Sequence, residues 1–417
     1  MHYVIGGVGL LVFLLLAWLP SNDRRSAVGK LGRVAILLIA QFALGFVLLR
    51  TGVGTAVIRV IRDGFQHILD YAAQGTEFVF GDVAKYGDTP AFLFAVLMPI
   101  VFVSALIGIL QHIRVLPLII KYLGLLLSWV SGFGKVESFN AVAAAILGQS
   151  EVFISLRNML DRIPPQRMYT LAASAMSTVS ASILGAYMQL IDARYVIAAI
   201  VLNLLGVFAV TSLINPYRVT AEEDAELLAA DVGDKGNGDG NGNGNGGNNE
   251  RRRQSFFEML TEYILVGFRV AFTVAAMLIG FIALLAMVNG IFAAVFNGTT
   301  FQDVMGHVFA PLAYLTGIPW SEASDAGTFM GTKLVSNEMV AMQQLNEDQG
   351  ELSSRSMAIV STYLVSFANF SSIAIIIGAV RSLSEKQGLV AAQHGLKLLY
   401  AATLVSFISA TIVGLLS

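Results

Sequence analysis

The chain predicts an all-α polytopic membrane fold of eight transmembrane helices, two re-entrant hairpins and interfacial helices, arranged as inverted repeats. Three observations carry that expectation. First, 56% of the 417 residues are hydrophobic and only 13% are charged, about half the charged share of a soluble domain, roughly 25%. Second, mean hydropathy is +0.71 and several apolar runs reach about 20 residues, the length that crosses a bilayer. Third, two apolar segments are broken in the middle by polar and ionisable residues. The same composition excludes a soluble enzyme. The net charge of −2 gives no field that would gather nucleic acid. The absence of cysteine removes disulfides, thiolate metal sites and thiol nucleophiles.

The first apolar run, Tyr3 to Leu19, has no basic residue before it and is followed by Asp23, Arg24, Arg25, Lys30 and Arg33. A signal peptide carries its charge on the opposite flank, so the run reads as a span with its N-terminus outside and a basic cytoplasmic loop behind it. Val34 to Leu49 returns outward. Between Thr55 and Tyr71, the polar residues Arg59, Arg62, Asp63, Gln66, His67 and Asp70 fall opposite Val57, Ile58, Ile61, Phe65, Ile68 and Leu69. That pattern describes a helix lying in the interface. Phe92 to Leu110 is the next span, and Leu116 to Val130, with Lys121 in its middle, reads as a second interfacial helix.

Met168 to Ile191 and Tyr195 to Ile214 form a helical pair around the turn Asp192-Ala193-Arg194. Thr220 to Asn249 passes from an acidic stretch into Gly-Asn repeats that cannot bury enough surface to order themselves, so it reads as a disordered cytoplasmic tether. Asp234 to Gly240 lacks the alternating carboxylates and distal Glu of a calcium loop. Arg251, Arg252 and Arg253 precede the long run Tyr263 to Phe296. Asn297 to Gly331 contains no Lys or Arg, as an outside segment should. The last spans, Met357 to Val380 and Leu389 to Leu416, place the C-terminus outside.

Asn140 to Met159 holds Gly148-Gln149-Ser150-Glu151 at its centre, and Ala323 to Met342 holds Ser336-Asn337-Glu338. An ionised carboxylate at a helix centre costs roughly 3 kcal/mol, and non-helical backbone survives at that depth only where protein or water covers it. Each segment therefore reads as a re-entrant hairpin. Behind each tip comes a broken span, with Ser177-Thr178-Val179-Ser180 in one and Asn369-Phe370-Ser371-Ser372 in the other, and then a whole span. The first copy starts inside and the second outside. The repeats are thus inverted, an arrangement that builds a midplane site between discontinuous helices.

Glu151 and Glu338 have a structural alternative, in which each caps a hairpin helix or pairs with a base such as Lys333. Gln149, Ser150, Asn337, Asn369 and Ser372 could likewise be interhelical glue. Together they offer amides and hydroxyls beside carboxylates, which suits a neutral ligand rich in hydroxyls and ring nitrogens better than an ion. Gly132-Phe133-Gly134-Lys135 is not a phosphate loop, since Val136 follows where Ser or Thr belongs. The five histidines form no cluster, so no metal site and no cofactor are expected.

Gly148-Gln149-Ser150-Glu151, Ser336-Asn337-Glu338, Ile318-Pro319-Trp320-Ser321-Glu322-Ala323 and Phe367-Ala368-Asn369-Phe370-Ser371-Ser372-Ile373 resemble signatures of the concentrative nucleoside transporter family. Glu137-Ser138-Phe139-Asn140 and Ser212-Leu213-Ile214-Asn215-Pro216-Tyr217-Arg218 bring the chain nearest to the bacterial NupC-type branch. The resemblance implies a homotrimer that carries nucleosides such as uridine, cytidine and adenosine by an elevator motion. It divides the chain into N-terminal scaffold spans with their interfacial helix (1–114), the first repeat (115–214), a disordered Gly/Asn-rich loop (215–256), a long scaffold span (257–298) and the second repeat (299–417). It also implies that Gln149, Ser150 and Glu151 face the nucleobase, that Ile183 and Phe367 pack against it, and that Glu338, Asn369 and Ser372 hold the ribose.

Sodium-coupled members of that family carry an Asn where this chain has Ala144, which leaves Leu147, Thr178 and Val179 as the remaining sodium shell. The expectation is therefore a nucleoside:proton symporter of the bacterial inner membrane, with Glu151 and Glu338 as candidate proton carriers and Glu151 favoured. The rivals are sodium coupling on the same fold and, from another class, an intramembrane hydrolase or channel with paired carboxylates. No nucleophile or metal accompanies the acids, so the chain is not read as an enzyme.

Overall fold

The computed structural model describes residues 2–85, 91–233, 255–348 and 352–417, which form eighteen α-helices and, among the described residues, no strand. The first span is α1 (His2–Trp18). Asp23 then accepts hydrogen bonds from the amides of Arg25 and Ser26 to start the short α2 (Arg24–Gly29), and α3 (Leu31–Arg50) returns across the membrane. Thr51 caps α4 (Gly52–Phe80). This amphipathic helix is longer than the 55–71 stretch expected, because its apolar face continues through buried Ala72. A π-helical turn, Leu93–Leu97, leads into α5 (Pro99–His112).

The first repeat contains α6 (Val115–Ser131), α7 (Lys135–Leu147), α8 (Pro165–Met176), α9 (Leu184–Leu190) and α10 (Ala193–Ile214). The returning arm of its hairpin is not α-helical but two 3-10 turns, Glu151–Leu156 and Leu160–Arg162. After α11 (Ala221–Gly233) comes α12 (Phe256–Val295), whose 40 residues extend about 60 Å at 1.5 Å per residue, twice the hydrocarbon thickness. The second repeat contains α13 (Phe301–Leu315), α14 (Ala323–Val335), α15 (Glu338–Glu347), α16 (Ser354–Leu364), α17 (Phe370–Leu383) and α18 (Glu385–Leu416). Lead helix, hairpin, broken span and whole span thus occur twice in the same order. Six helical stretches are long and apolar enough to cross a membrane. Together with the 17-residue α1 and the split pair α16–α17, they make eight spans.

One expectation about the connecting segments is corrected. Residues 221–233, read as part of a disordered loop, are helical: Thr220 and Glu223 exchange hydrogen bonds as a capping box, and Asp224 is buried against Arg167. The Gly-Asn stretch Asp234 to Asn249, with its rejected calcium-loop reading, lies outside the described residues. The helix α13, which stands in the second repeat where α6 stands in the first, was not expected from the sequence. It lies close along α14, where a β-carbon on Gly327 would sit 2.4 Å from the Gly306 carbonyl.

The packing separates two groups of helices. Phe13 of α1 stacks on Phe407 of α18 with centroids 5.0 Å apart, and Gln41 of α3 donates to the Leu202 carbonyl of α10 at 2.7 Å. The first two spans therefore clasp the whole spans of both repeats. By contrast α12 lies against α5, where a β-carbon on Gly267 would come within 2.7 Å of Ser104. Few residues of α12 are buried within the chain: Met259, Gly267, Ala271, Leu278 and Leu285.

Candidate functional site

At the first tip, α7 ends at Leu147 and the chain turns at Gly148, whose φ of +112° belongs to glycine. A β-carbon there would lie 2.8 Å from Glu151 Oε2 and 3.1 Å from Ser180 Cβ, so the turn is closed against the very carboxylate it presents. Ser150 Oγ donates to Glu151 Oε2 at 2.9 Å. Gln149 is buried, and its Oε1 has no hydrogen-bond partner among the described residues. An acceptor buried at a hairpin tip without a partner is a place for a ligand donor.

At the second tip, the Asn337 side chain caps α15 by accepting from the Val340 amide at 3.0 Å, which makes Glu338 the first residue of the helix. The N-terminal dipole of α15 favours a carboxylate there. Both Glu338 oxygens are held: Tyr187 Oη donates to Oε1 at 2.7 Å, and Asn369 Nδ2 donates to Oε2 at 2.8 Å. Asn369 in turn caps α17 through its Oδ1, which accepts from the Ser372 amide at 2.9 Å and the Ser371 hydroxyl at 2.7 Å. The break in the seventh span covers 365–369, slightly ahead of the segment expected, and Asn369 is the cap that restarts the helix.

The two broken spans meet. The Phe367 amide donates to the Thr178 carbonyl at 3.1 Å, a backbone bond between the breaks of the two repeats. Around this crossing lies a cavity of about 450 Å³. Gln149, Ser150, Glu151, Ile183, Glu338, Phe367, Asn369 and Ser372 all line it, as does Leu147. Thr178 and Val179 do not; both are buried behind it, and Thr178 Oγ1 has no hydrogen-bond partner among the described residues. A larger cavity of about 550 Å³, bordered by Arg62, Gln189, Asp192 and Asn346, contains none of the predicted site residues.

Two residues of the site were not identified from sequence. Tyr187, fully buried, is 151 positions from Glu338, and only the crossing of the repeats brings them together. Arg269 of α12 also lines the cavity and forms no ion pair among the described residues. Its signal was available, since it is the one charged residue in the apolar run Tyr263 to Phe296. With one carboxylate doubly held, a second half-exposed and an unpartnered amide oxygen, the cavity suits hydrogen bonding to a polar neutral molecule.

Comparison with known proteins agrees with this chemistry. Family models described as Na+ dependent nucleoside transporter N-terminus, nucleoside recognition, and Na+ dependent nucleoside transporter C-terminus match residues 8–83, 93–194 and 195–414. The uncharacterized transporter YutK of Bacillus subtilis is 34% identical, with both chains covered over 100% of their length. The purine nucleoside transport protein NupG of the same organism is 31% identical over 100% of this chain and 99% of its own. The solved structure of CNTnw in an inward-facing substrate-bound state superposes with a TM-score of 0.90 at 29% identity, covering 100% of this chain and 98% of that one. An outward-facing state of a substituted CNTnw superposes at 0.87. Matched by these models from residue 8 to residue 414, with both hairpin carboxylates in one cavity, this chain belongs to the concentrative nucleoside transporter family.

Proposed function

We propose that the protein imports nucleosides such as uridine, cytidine and adenosine by proton symport across the bacterial inner membrane, working as an elevator. The carrying observation is the doubly held Glu338 facing Gln149 and Glu151 across one cavity. A carboxylate has about four lone-pair sites. Tyr187 and Asn369 take one on each oxygen, so Glu338 keeps acceptor capacity on both for the neighbouring hydroxyls of a ribose. Asn369 and Ser372, fixed at the start of α17, complete that side. The base then lies between Ile183 and Phe367, with the Gln149 amide, Ser150 and Glu151 meeting its polar edge.

Proton rather than sodium coupling is supported by what surrounds Ala144. This buried residue offers no side-chain oxygen, and its carbonyl accepts the Gly148 amide at 2.9 Å. The Thr178 carbonyl already accepts from Phe367. A sodium ion would find the carbonyls of Leu147 and Val179 and the Thr178 hydroxyl, fewer oxygens than a hard cation takes. Glu151 is the proton carrier, because Glu338 accepts ribose hydroxyls best when ionised.

In this reading 1–114 and 257–298 form the scaffold, while 115–214 and 299–417 move together with the substrate. Both termini lie outside. The sparsely buried surface of α12, with Phe257, Phe268, Phe272 and Ile279 exposed, supports packing against two further copies in a trimer. Counterflow in proteoliposomes tests the assignment of the proton. Glu151→Gln should still exchange external for internal uridine but fail to accumulate it uphill. Accumulation at the wild-type level in that variant removes Glu151 from the coupling.

A further inference from the structure

Lys333, in the last turn of α14, has no exposed surface. Its ammonium reaches no carboxylate within ion-pair distance among the described residues. It donates instead to three oxygens: the Tyr363 carbonyl at 2.5 Å, Ser366 Oγ at 2.7 Å and Ser406 Oγ at 3.2 Å. The Tyr363 ring lies beside it, 4.3 Å from Nζ to centroid, and the two serine hydroxyls share a hydrogen bond at 2.8 Å. Glu338 follows it by five residues on the same hairpin. A buried cation without a partner carboxylate is costly, so the oxygens that hold it must be organised by it in return.

Those oxygens have a specific place in the fold. Tyr363 is the penultimate residue of α16, so its carbonyl is one of the unpaired acceptors at a helix C-terminus, the end that favours a cation. Ser366 lies in the break that follows, and Ser406 in α18. Two residues on, the Val365 carbonyl accepts from Asn203 Nδ2 at 2.9 Å. The break that aims Phe367 and Asn369 into the cavity is thus secured from behind by one ammonium and one amide. The first repeat has no such cation: Lys333 stands five residues before Glu338, whereas five residues before Glu151 the chain has Ile146.

We propose that Lys333 is a positioning residue, a covalently attached cation that does for the broken seventh span what a dissociable ion would otherwise have to do. The second half of the site is then assembled without any bound ion, and ion coupling acts through the first half alone. The effect on substrate rests on the ribose placement at Glu338 proposed above, but the effect on the break does not.

Lys333→Met keeps the aliphatic stem and removes the ammonium. Purified in detergent, it should show faster hydrogen–deuterium exchange at 365–369 and unchanged exchange at 177–180. In proteoliposomes its uridine KM should rise at least about tenfold, the scale of a lost charge-assisted hydrogen bond. Its preference for uridine over 3′-deoxyuridine should shrink, which a merely destabilised protein with intact site geometry would not show. Lys333→Arg should recover part of that preference. If Lys333→Met does not fold, Ser366→Ala, which removes one oxygen of the cage, must still narrow the preference and speed exchange at 365–369. Wild-type exchange at 365–369 in the variant that folds overturns the proposal. Faster exchange there with wild-type ribose preference overturns the ribose placement at Glu338 and leaves the positioning of the break standing.

Discussion

Glu338 is held by two donors from the protein, and the value of each can be measured separately. Tyr187→Phe removes the hydroxyl that donates to Oε1 while leaving the ring in its buried place, so the carboxylate loses one charge-assisted bond, worth about 1.5–3 kcal/mol. Uridine KM should rise by roughly tenfold or more with expression unchanged. Glu338→Gln turns one acceptor oxygen into a donor, which then meets either the Tyr187 hydroxyl or the Asn369 amide group that now donates there, and removes the charge from both bonds. Uridine uptake should fall severely while gel filtration and melting behaviour stay near the wild type. The carboxylate was legible in the sequence because an acid within an apolar run has few structural uses. Tyr187 was not legible, because a tyrosine in an apolar helix looks like packing until its partner across the repeats is known. Arg269 is legible for another reason, as the one charge within the long apolar run Tyr263 to Phe296.

Hairpins and broken spans were legible as elements because each departs from hydropathy in the same way, with small polar residues at the depth where a plain span has none. The lead helix α13 and the acidic α11 were not. Thr220-Ala221-Glu222-Glu223 is a capping box in the sequence, and the acidic composition behind it concealed the helix it starts. The reason α11 stays in place is tertiary. Asp224 accepts from Arg167 Nη2 at 2.6 Å and from the Lys135 amide at the start of α7 at 2.7 Å, while Arg167 is paired through Nε and Nη2 with Glu137. Asp224→Ala therefore unties α11 from the first hairpin and the fourth span. It should lower stability by about 1.5–3 kcal/mol, read as a lower midpoint in thermal unfolding. Hydrogen bonds from the Thr220 amide and hydroxyl hold the exposed Glu223 carboxyl below its ordinary range. A group with a depressed folded pKa contributes above its unfolded pKa and loses that contribution as pH falls. Limited proteolysis should accordingly cut within 221–233 more readily in acid than at neutral pH.

For the whole molecule, the inverted order was legible because charge placement along the loops and the two polar tips gave independent readings that agreed. The register of each break was not, since helix caps such as Asn369 decide it within a few residues. Deleting Asp234 to Asn249, a stretch of Gly, Asn, Asp and Lys with no apolar side chain, should leave uridine uptake per folded protein unchanged. A large loss at equal expression would mean that the segment has a partner. The proposed proton coupling belongs to this scale as well: under that proposal, protonation at one tip would bias the position of the entire moving body, which requires a difference in proton affinity between its two positions. The most direct test is radiolabelled uridine uptake by the wild-type protein in proteoliposomes, with proton and sodium gradients imposed separately. Uptake should rise with an inward proton gradient and be indifferent to replacing sodium with choline. Strict dependence on sodium, with no response to the proton gradient, would contradict it.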